Sequence, residues 1–189
     1  MTRYLHDDAA VRDAIERHTK RRYTVGLDLG QTTDPTALAV LEKLQVPQIG
    51  IGRLPDPITY DTTHIVRWLE RVPLRTTYPQ VIDHVRALVN TAPLRGNSKL
   101  VIDQTGVGRP VFDMFVAAKL APTGITITPG DGWSRDGASY RVAKGLLVSR
   151  LDASLNGGEL QIVSTLPDAE VLKAEMADFR DRKSTRLNS

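Results

Sequence analysis

The sequence predicts an α/β fold in which a mixed β-sheet is flanked by helices. Two short β-type stretches, residues 23–29 and 99–103, each carry an aspartate at or near their end. Stretches with apolar residues at helical spacing lie between and after them. The resulting order is a strand hairpin, then helix, strand, helix and strand, which is typical of an α/β domain.

One domain accounts for the length of this chain. It has 189 residues, 41% of them hydrophobic, which is enough for one core. It contains no cysteine, which excludes disulfides and thiolate metal sites and is typical of a reducing compartment. We find no apolar run that could cross a bilayer and no signal-peptide pattern at residues 1–5. We therefore expect a cytoplasmic protein without a membrane segment.

Residues 1–22 are expected to form an N-terminal helix and linker, with the helix at 7–20. In the strand at 23–29, Val25 and Leu27 fall on one face and Asp28 on the other. After a Gly/Thr/Asp/Pro loop, residues 36–43 are predicted to complete a hairpin.

The remaining elements follow from periodicity and from turn residues. Residues 45–63 hold three prolines and predict an irregular excursion. Residues 64–72 fit either a helix or a third strand, and the family resemblance described below favours the strand. The later predictions are a helix at 78–90, a strand at 99–103, a helix at 110–119, a strand at 124–128, a loop at 130–139, a helix at 140–155, a strand at 159–163 and a helix at 168–179.

Asp28 and Asp103 are the candidate functional residues. A carboxylate beside a core is costly unless a partner charge or a cation accompanies it. If the strand ending at Asp103 lies parallel to the strand with Asp28, the two carboxylates come close and repel each other unless a proton or divalent cation lies between them. Oxygen ligands without a His/Cys cluster favour Mg²⁺ or Mn²⁺. Such a site suits phosphoryl chemistry, in which two ions lie about 3.5–4 Å apart.

Two motifs resemble those of a known family. Residues 26–37 read Gly-Leu-Asp-Leu-Gly-Gln-Thr-Thr-Asp-Pro-Thr-Ala, and residues 101–111 read Val-Ile-Asp-Gln-Thr-Gly-Val-Gly-Arg-Pro-Val. They resemble the first and second motifs of the nuclease domain of phage terminase large subunits, and the resemblance covers roughly residues 22–182. It implies an RNase H-like sheet of three antiparallel strands followed by parallel strands, with the nuclease domain at 23–182.

The same resemblance implies a metal-dependent endonuclease that cuts concatemeric double-stranded DNA during packaging. By motif position, Asp28 and Asp103 would be metal ligands for Mg²⁺ or Mn²⁺, with two ions in the complete site. Asp34 resembles a supporting acid of the same loop, although an aspartate before Pro35 is equally typical of a turn. A terminase small subunit and a portal protein are the partners implied.

The chain departs from the family pattern in two respects. The family's third essential acid lies downstream of the last helix, and nothing after Phe179 matches it. Residues 183–189 look like a translated adapter tail, so we expect a C-terminal truncation; they carry Lys183 and Arg186, without which the net charge of +3 becomes +1. The chain also lacks the Gly-x-x-x-x-Gly-Lys-Ser/Thr loop of a packaging ATPase. We therefore expect the nuclease part alone, with weak or no cutting.

Three other interpretations stay open. Residues 26–32 are also similar to the first phosphate motif of the actin and sugar-kinase superfamily, which binds ATP between two such domains. A Holliday-junction resolvase is the second alternative, and this class is more closely related to the terminase nuclease than the kinases are. A non-catalytic RNase H-like module that binds DNA is the third alternative.

Overall fold

An eight-stranded mixed sheet runs through the part of the chain that the computed structural model describes, residues 9–30, 34–49, 57–106 and 108–176. The helices are α1 (Ala9–His18), α2 (Tyr78–Val89), α3 (Gly108–Ala117) and α4 (Lys144–Asn156). The strands are β1 (Lys20–Asp28), β2 (Ala37–Pro47), β3 (Tyr60–Arg71), β4 (Ser98–Asp103), β5 (Thr123–Thr128), β6 (Trp133–Asp136), β7 (Ser139–Ala143) and β8 (Leu160–Ile162). Residues 169–176 are also helical, and we call them the cleft helix.

The strands lie in the order β6-β7-β5-β4-β1-β2-β3-β8. The first three strands along the chain pair antiparallel, and β4 then pairs parallel to β1, with β5 and β7 continuing the parallel half. At the other edge, β8 pairs parallel to β3 through only three residue pairs. This arrangement confirms the predicted α/β mixed sheet and is consistent with an RNase H-like fold.

One face of the sheet carries the main core. Val25 of β1 and Ile102 of β4 are fully buried there, because alternate residues of a strand point to the same side. α2 and α3 cover this face, with Val81, Val85 and Phe115 fully buried against it. Full burial of an aliphatic or aromatic side chain of this size contributes about 1.5–3 kcal/mol, so this layer is the main source of stability.

A charged residue is also buried on the core face, at its margin. Glu42 of β2 is 2% exposed and accepts hydrogen bonds from Arg21 at 2.7 Å and from Arg67 at 2.6 Å. The two guanidinium groups supply the partner charges that a buried carboxylate requires. They tie β1, β2 and β3 together across the antiparallel half of the sheet.

The predicted third strand is confirmed. β3 runs from Tyr60 to Arg71 and pairs with β2 along its length, with an irregularity between Val40 and Leu41. The irregular excursion predicted at 45–63 was therefore wrong at both ends, where β2 continues to Pro47 and β3 begins at Tyr60. The helix predicted at 78–90 is also present, as α2. Its first turn contains Pro79, and the side-chain oxygen of Gln80 accepts a hydrogen bond from the N–H of Thr77 at 2.9 Å.

The region 130–143 differs from its prediction. The loop predicted at 130–139 contains β6, and the helix predicted at 140–155 begins only at Lys144, because Ser139–Ala143 forms β7. Without β7, one edge of β5 would be open. The backbone of β7 pairs with this edge, from the pair of Gly124 with Ser139 to the pair of Thr128 with Ala143. This pairing outweighs the helical spacing that continues into α4.

Several predictions fall outside the described residues. The tail at 183–189, the start of the N-terminal helix at 7–8 and the end of the last helix at 177–179 belong to this group. The described portion of the N-terminal helix is α1, and β1 follows it from Lys20 onward.

Candidate metal centre

Asp28 and Asp103 are direct neighbours on adjacent strands. They are paired residues in the parallel register of β1 and β4, and both lie at the carboxyl ends of their strands. Neighbouring strands are about 4.8 Å apart, and paired residues direct their side chains to the same face. The two acids that the sequence singled out are therefore brought together, on the face opposite the main core.

The turn after β4 holds Asp103 in place. Its Oδ1 atom accepts a hydrogen bond from the N–H of Thr105 at 2.8 Å and another from the Thr105 hydroxyl at 2.5 Å. The Thr105 hydroxyl oxygen in turn accepts a hydrogen bond from the N–H of Ile127 at 2.9 Å. Since β5 thereby anchors the threonine that holds the carboxylate, Asp103 is restricted to one orientation.

Asp34 lies in the loop that follows β1. The loop folds back closely at Gly30, where a side-chain Cβ would come within 2.0 Å of the carbonyl oxygen of Asp34. The N–H of Gly30 donates to the hydroxyl oxygen of Thr36 at 3.2 Å, which closes the loop over this contact. Only glycine fits at this position, and the tight loop brings the exposed Asp34 near enough to act electrostatically on Asp28.

An open cavity of about 440 Å³ lies beside the two acids. Gly26, Ala37 and Ala39 contribute to its floor, and these small residues leave room above the sheet. The cleft helix forms one wall, with Val171 and Leu172 lining the cavity. The acids are thus placed at a cleft that a substrate could enter.

The electrostatics of the cleft act mainly on Asp28. Partial removal of water by the surrounding protein raises the pKa of Asp28, and the negative charges of Asp103 and Asp34 raise it further. Although Asp28 is exposed at the open side of the cleft, its ionised form is therefore disfavoured. A divalent cation would relieve this repulsion, so the two carboxylates fit a site for a hard cation with oxygen ligands.

Asp168 also lines this cavity, and the sequence analysis did not single it out. It is half-buried at the start of the cleft helix, far from the motifs along the chain. Its position before an amphipathic helix gave no local signal, since an acid there is typical of a first helical turn. Only the packing of the cleft helix against the sheet brings it to this cavity.

Within the described ranges, no group of three His, Cys, Asp or Glu side chains is arranged so that it could hold a metal ion. The structure pairs Asp28 with Asp103, the two acids that the sequence predicted as metal ligands. In those ranges, no helix is both long enough and apolar enough to span a membrane.

Comparisons with protein-family models, with curated proteins and with solved structures found no match to this chain.

Proposed function

We propose that this chain is the metal-dependent endonuclease domain of a phage DNA-packaging terminase large subunit. The observation that carries the proposal is the in-register pair Asp28 and Asp103 at an open cleft, where the pKa of Asp28 is raised. A pair of carboxylates that disfavours its own ionisation is suited to binding a divalent cation. The motifs at 26–37 and 101–111, which contain these acids, supply the family.

Asp28 and Asp103 would hold Mg²⁺ or Mn²⁺, with two ions in the complete site. When bound, such ions polarise a phosphoryl oxygen and lower the pKa of a bound water, which is the chemistry of phosphodiester hydrolysis. The protein contributes the orientation of the ligands. Thr105 holds Asp103 in one rotamer, and the loop closed at Gly30 keeps the negative charge of Asp34 close to Asp28.

The proposed substrate is concatemeric double-stranded DNA in the cytoplasm of a phage-infected cell. The small residues of the cleft floor, Gly26, Ala37 and Ala39, allow a phosphate group to approach the acids without steric conflict. The family resemblance supplies the partners, a terminase small subunit and a portal protein. It also supplies the reaction class, hydrolysis of a phosphodiester bond.

The test is metal-dependent nicking of supercoiled plasmid by the purified chain. We expect weak cutting with Mg²⁺ or Mn²⁺ that EDTA abolishes and that falls to the background without protein in Asp28→Asn and in Asp103→Asn. Asp113→Asn is the matched control, because Asp113 is exposed on α3 and contacts only Arg109 among the ion pairs of the described residues. It should keep the parent rate.

Other outcomes would redirect the assignment. Nicking that survives both substitutions would contradict the site. ATP binding without nicking would support an actin-like or sugar-kinase-like domain instead. DNA binding without nicking, under conditions where metal binding is measured directly and is absent, would support a non-catalytic binding module. Preferential cutting of four-way junctions would support a resolvase.

A further inference from the structure

The hairpin formed by β6 and β7 carries two aromatic side chains on one face, Trp133 and the half-buried Tyr140. Trp133 is 65% exposed, and its ring centroid lies 6.2 Å from that of Tyr140 with the planes inclined at 45°. The guanidinium carbon of Arg135 lies 5.6 Å from the centre of the Tyr140 ring. We call Trp133, Arg135 and Tyr140 the aromatic hairpin.

The aromatic hairpin lies on the same sheet face as the acids. Asp103 pairs with Ile125, Ile125 pairs with Tyr140, and Tyr140 pairs with Arg135, so these residues form one row across four strands. Because neighbouring strands are about 4.8 Å apart, Tyr140 lies about 10 Å from Asp103 along this row. Trp133 pairs with Val142 on the same face, one step further along the strands.

The packing of the molecule does not explain these side chains. All four residues of β6 are exposed, and Trp133 is not part of the buried core. An isolated exposed tryptophan needs no explanation, but Trp133 is clustered with Tyr140 and Arg135 on the face of the sheet that carries the acids. Its position beside a functional cleft therefore points to a ligand with flat, stackable surfaces.

Charge narrows the class of ligand. Arg135 is held in position by a hydrogen bond from its Nε to the carbonyl oxygen of Gly137 at 3.0 Å, which leaves its terminal amino groups available. The neighbouring Asp136 alternates to the opposite face of the strand. Aromatic rings combined with arginine are the usual platform on which successive bases of a single strand stack while the backbone is neutralised.

We propose that the aromatic hairpin binds unpaired bases of single-stranded DNA beside the acidic cleft. In an intact duplex the flat faces of the bases are stacked on each other, so a stacking platform engages DNA whose strands are separated or frayed. The hairpin thereby favours double-stranded DNA whose strands are separated or frayed at the platform, about 10 Å from Asp103. This inference rests on the proposed nuclease function, which supplies DNA as the substrate.

Intrinsic fluorescence gives a direct test, because the chain has two tryptophans, Trp68 and Trp133. Trp68 pairs with Val40 and so lies on the opposite face of the sheet. Trp68→Phe leaves Trp133 as the reporter, and Trp133→Phe leaves Trp68. In EDTA and low salt, titration with oligo(dT) should quench the emission of Trp68→Phe and leave that of Trp133→Phe unchanged.

Affinity gives the second arm of the test. Trp133→Ala and Tyr140→Ala should each weaken oligo(dT) binding about 5- to 100-fold, as loss of one stacked base predicts, and should change blunt duplex binding less than about 2-fold. Trp68→Ala is the matched control and should leave both affinities unchanged. An unquenched Trp133, or equal losses for single-stranded and duplex DNA, would overturn the proposal.

The two proposals fail separately. The binding arms are measured in EDTA, where no metal-dependent cutting occurs, and Asp28→Asn should retain the quenching of Trp133. Quenching without nicking and without any binding of Mg²⁺ or Mn²⁺ would leave the aromatic hairpin as a binding site and contradict the nuclease. Nicking that depends on Asp28, without quenching of Trp133, would support the nuclease and contradict the binding role of the aromatic hairpin.

Discussion

Asp28 combines exposure to solvent with a pKa raised above its usual value of 3.8. As pH rises through 3.8, Asp28 ionises first in the unfolded chain, and in the folded protein it stays protonated until the higher pKa is reached. The unfolding free energy therefore falls across this window. Above it, the folded protein carries the full cost of holding an ionised Asp28 near Asp103 and Asp34.

Asp28→Asn should remove that cost. We expect the unfolding free energy of the metal-free protein at pH 7 to rise by less than about 1 kcal/mol, since solvent screens an exposed carboxylate. At pH 3 the gain should vanish. Urea denaturation in EDTA at both pH values measures the effect, with Asp113→Asn as the control. A gain of equal size at pH 3 would show that charge is not its cause.

The same variant separates stability from metal binding. Mg²⁺ bound only by the folded state should raise the unfolding free energy of the parent protein in proportion to the logarithm of its concentration. In Asp28→Asn this increase should be small, although the metal-free variant is the more stable protein. Thermal melts of the parent protein and of Asp28→Asn, with and without Mg²⁺, compare their metal-free stability and the increase that the metal causes.

Glu42 has the opposite behaviour to Asp28. Burial alone would raise the pKa of Glu42, but the hydrogen bonds from Arg21 and Arg67 and their positive charges lower it below 4.5. Glu42→Gln should lower the unfolding free energy at pH 7 by about 2–3 kcal/mol, somewhat less than for a fully buried pair because both arginines are half-exposed.

The stabilisation from Glu42 is present above pH 4.5 and should be lost as pH falls through its lowered pKa in the folded protein. Chemical denaturation of Glu42→Gln between pH 2 and pH 7 measures this loss. Glu170→Gln is a suitable control, because Glu170 forms an exposed ion pair with Lys173 and should contribute under about 1 kcal/mol. A constant difference across the pH range would contradict the assigned role.

At the scale of the element, β1 combines a buried apolar face with an open one. At Gly26 an added Cβ would meet only the carbonyl oxygen of Ala39, at 3.9 Å, so the position tolerates a side chain. Gly26→Ala should raise the unfolding free energy by about 0.5–1 kcal/mol, because glycine is unfavourable in a strand interior. Gly26→Leu should also fold, but the leucine side chain should extend into the cavity.

Nicking assays would then separate size from stability. We expect Gly26→Ala to retain most of the parent rate and Gly26→Leu to lose at least about 10-fold, because its side chain fills the space beside Asp28. Circular dichroism confirms that each variant is folded. Unchanged nicking in Gly26→Leu would mean that the substrate does not enter over β1.

The elements differ in how far local sequence determined them. The alternation around Asp28 and the aliphatic run ending at Asp103 predicted β1 and β4, and both are confirmed. β7 was missed because Ala143 continues the spacing of α4, and the open edge of β5 decided its conformation. The conformation of residues 139–143 depends on the partner strand β5, so the local sequence around Tyr140 is not sufficient to predict it.

At the scale of the whole molecule, the parallel pairing of β1 with β4 creates the candidate site. From the sequence, this pairing was the condition under which the two acids would come close, and the parallel register of β1 and β4 fulfils it. The position of Asp168 at the same cavity and the row from Asp103 to Arg135 could not be predicted, because each depends on several strand and helix contacts at once. The nuclease assignment itself stays a prediction.

The attachment of the cleft helix has a consequence for motion. β8, which precedes it, pairs with β3 through three residue pairs, and the exposed ion pair between Arg71 and Glu175, at 3.1 Å, adds little. Local opening there should cost much less than global unfolding. Amides of β8 and the cleft helix should therefore exchange with deuterium well before those of β1 and β4, which mass spectrometry measures. Asp28 and Asp103 would then stay fixed on β1 and β4 while the cleft helix moves. The width of the cleft would adjust to the substrate without changing the distance between the two acids.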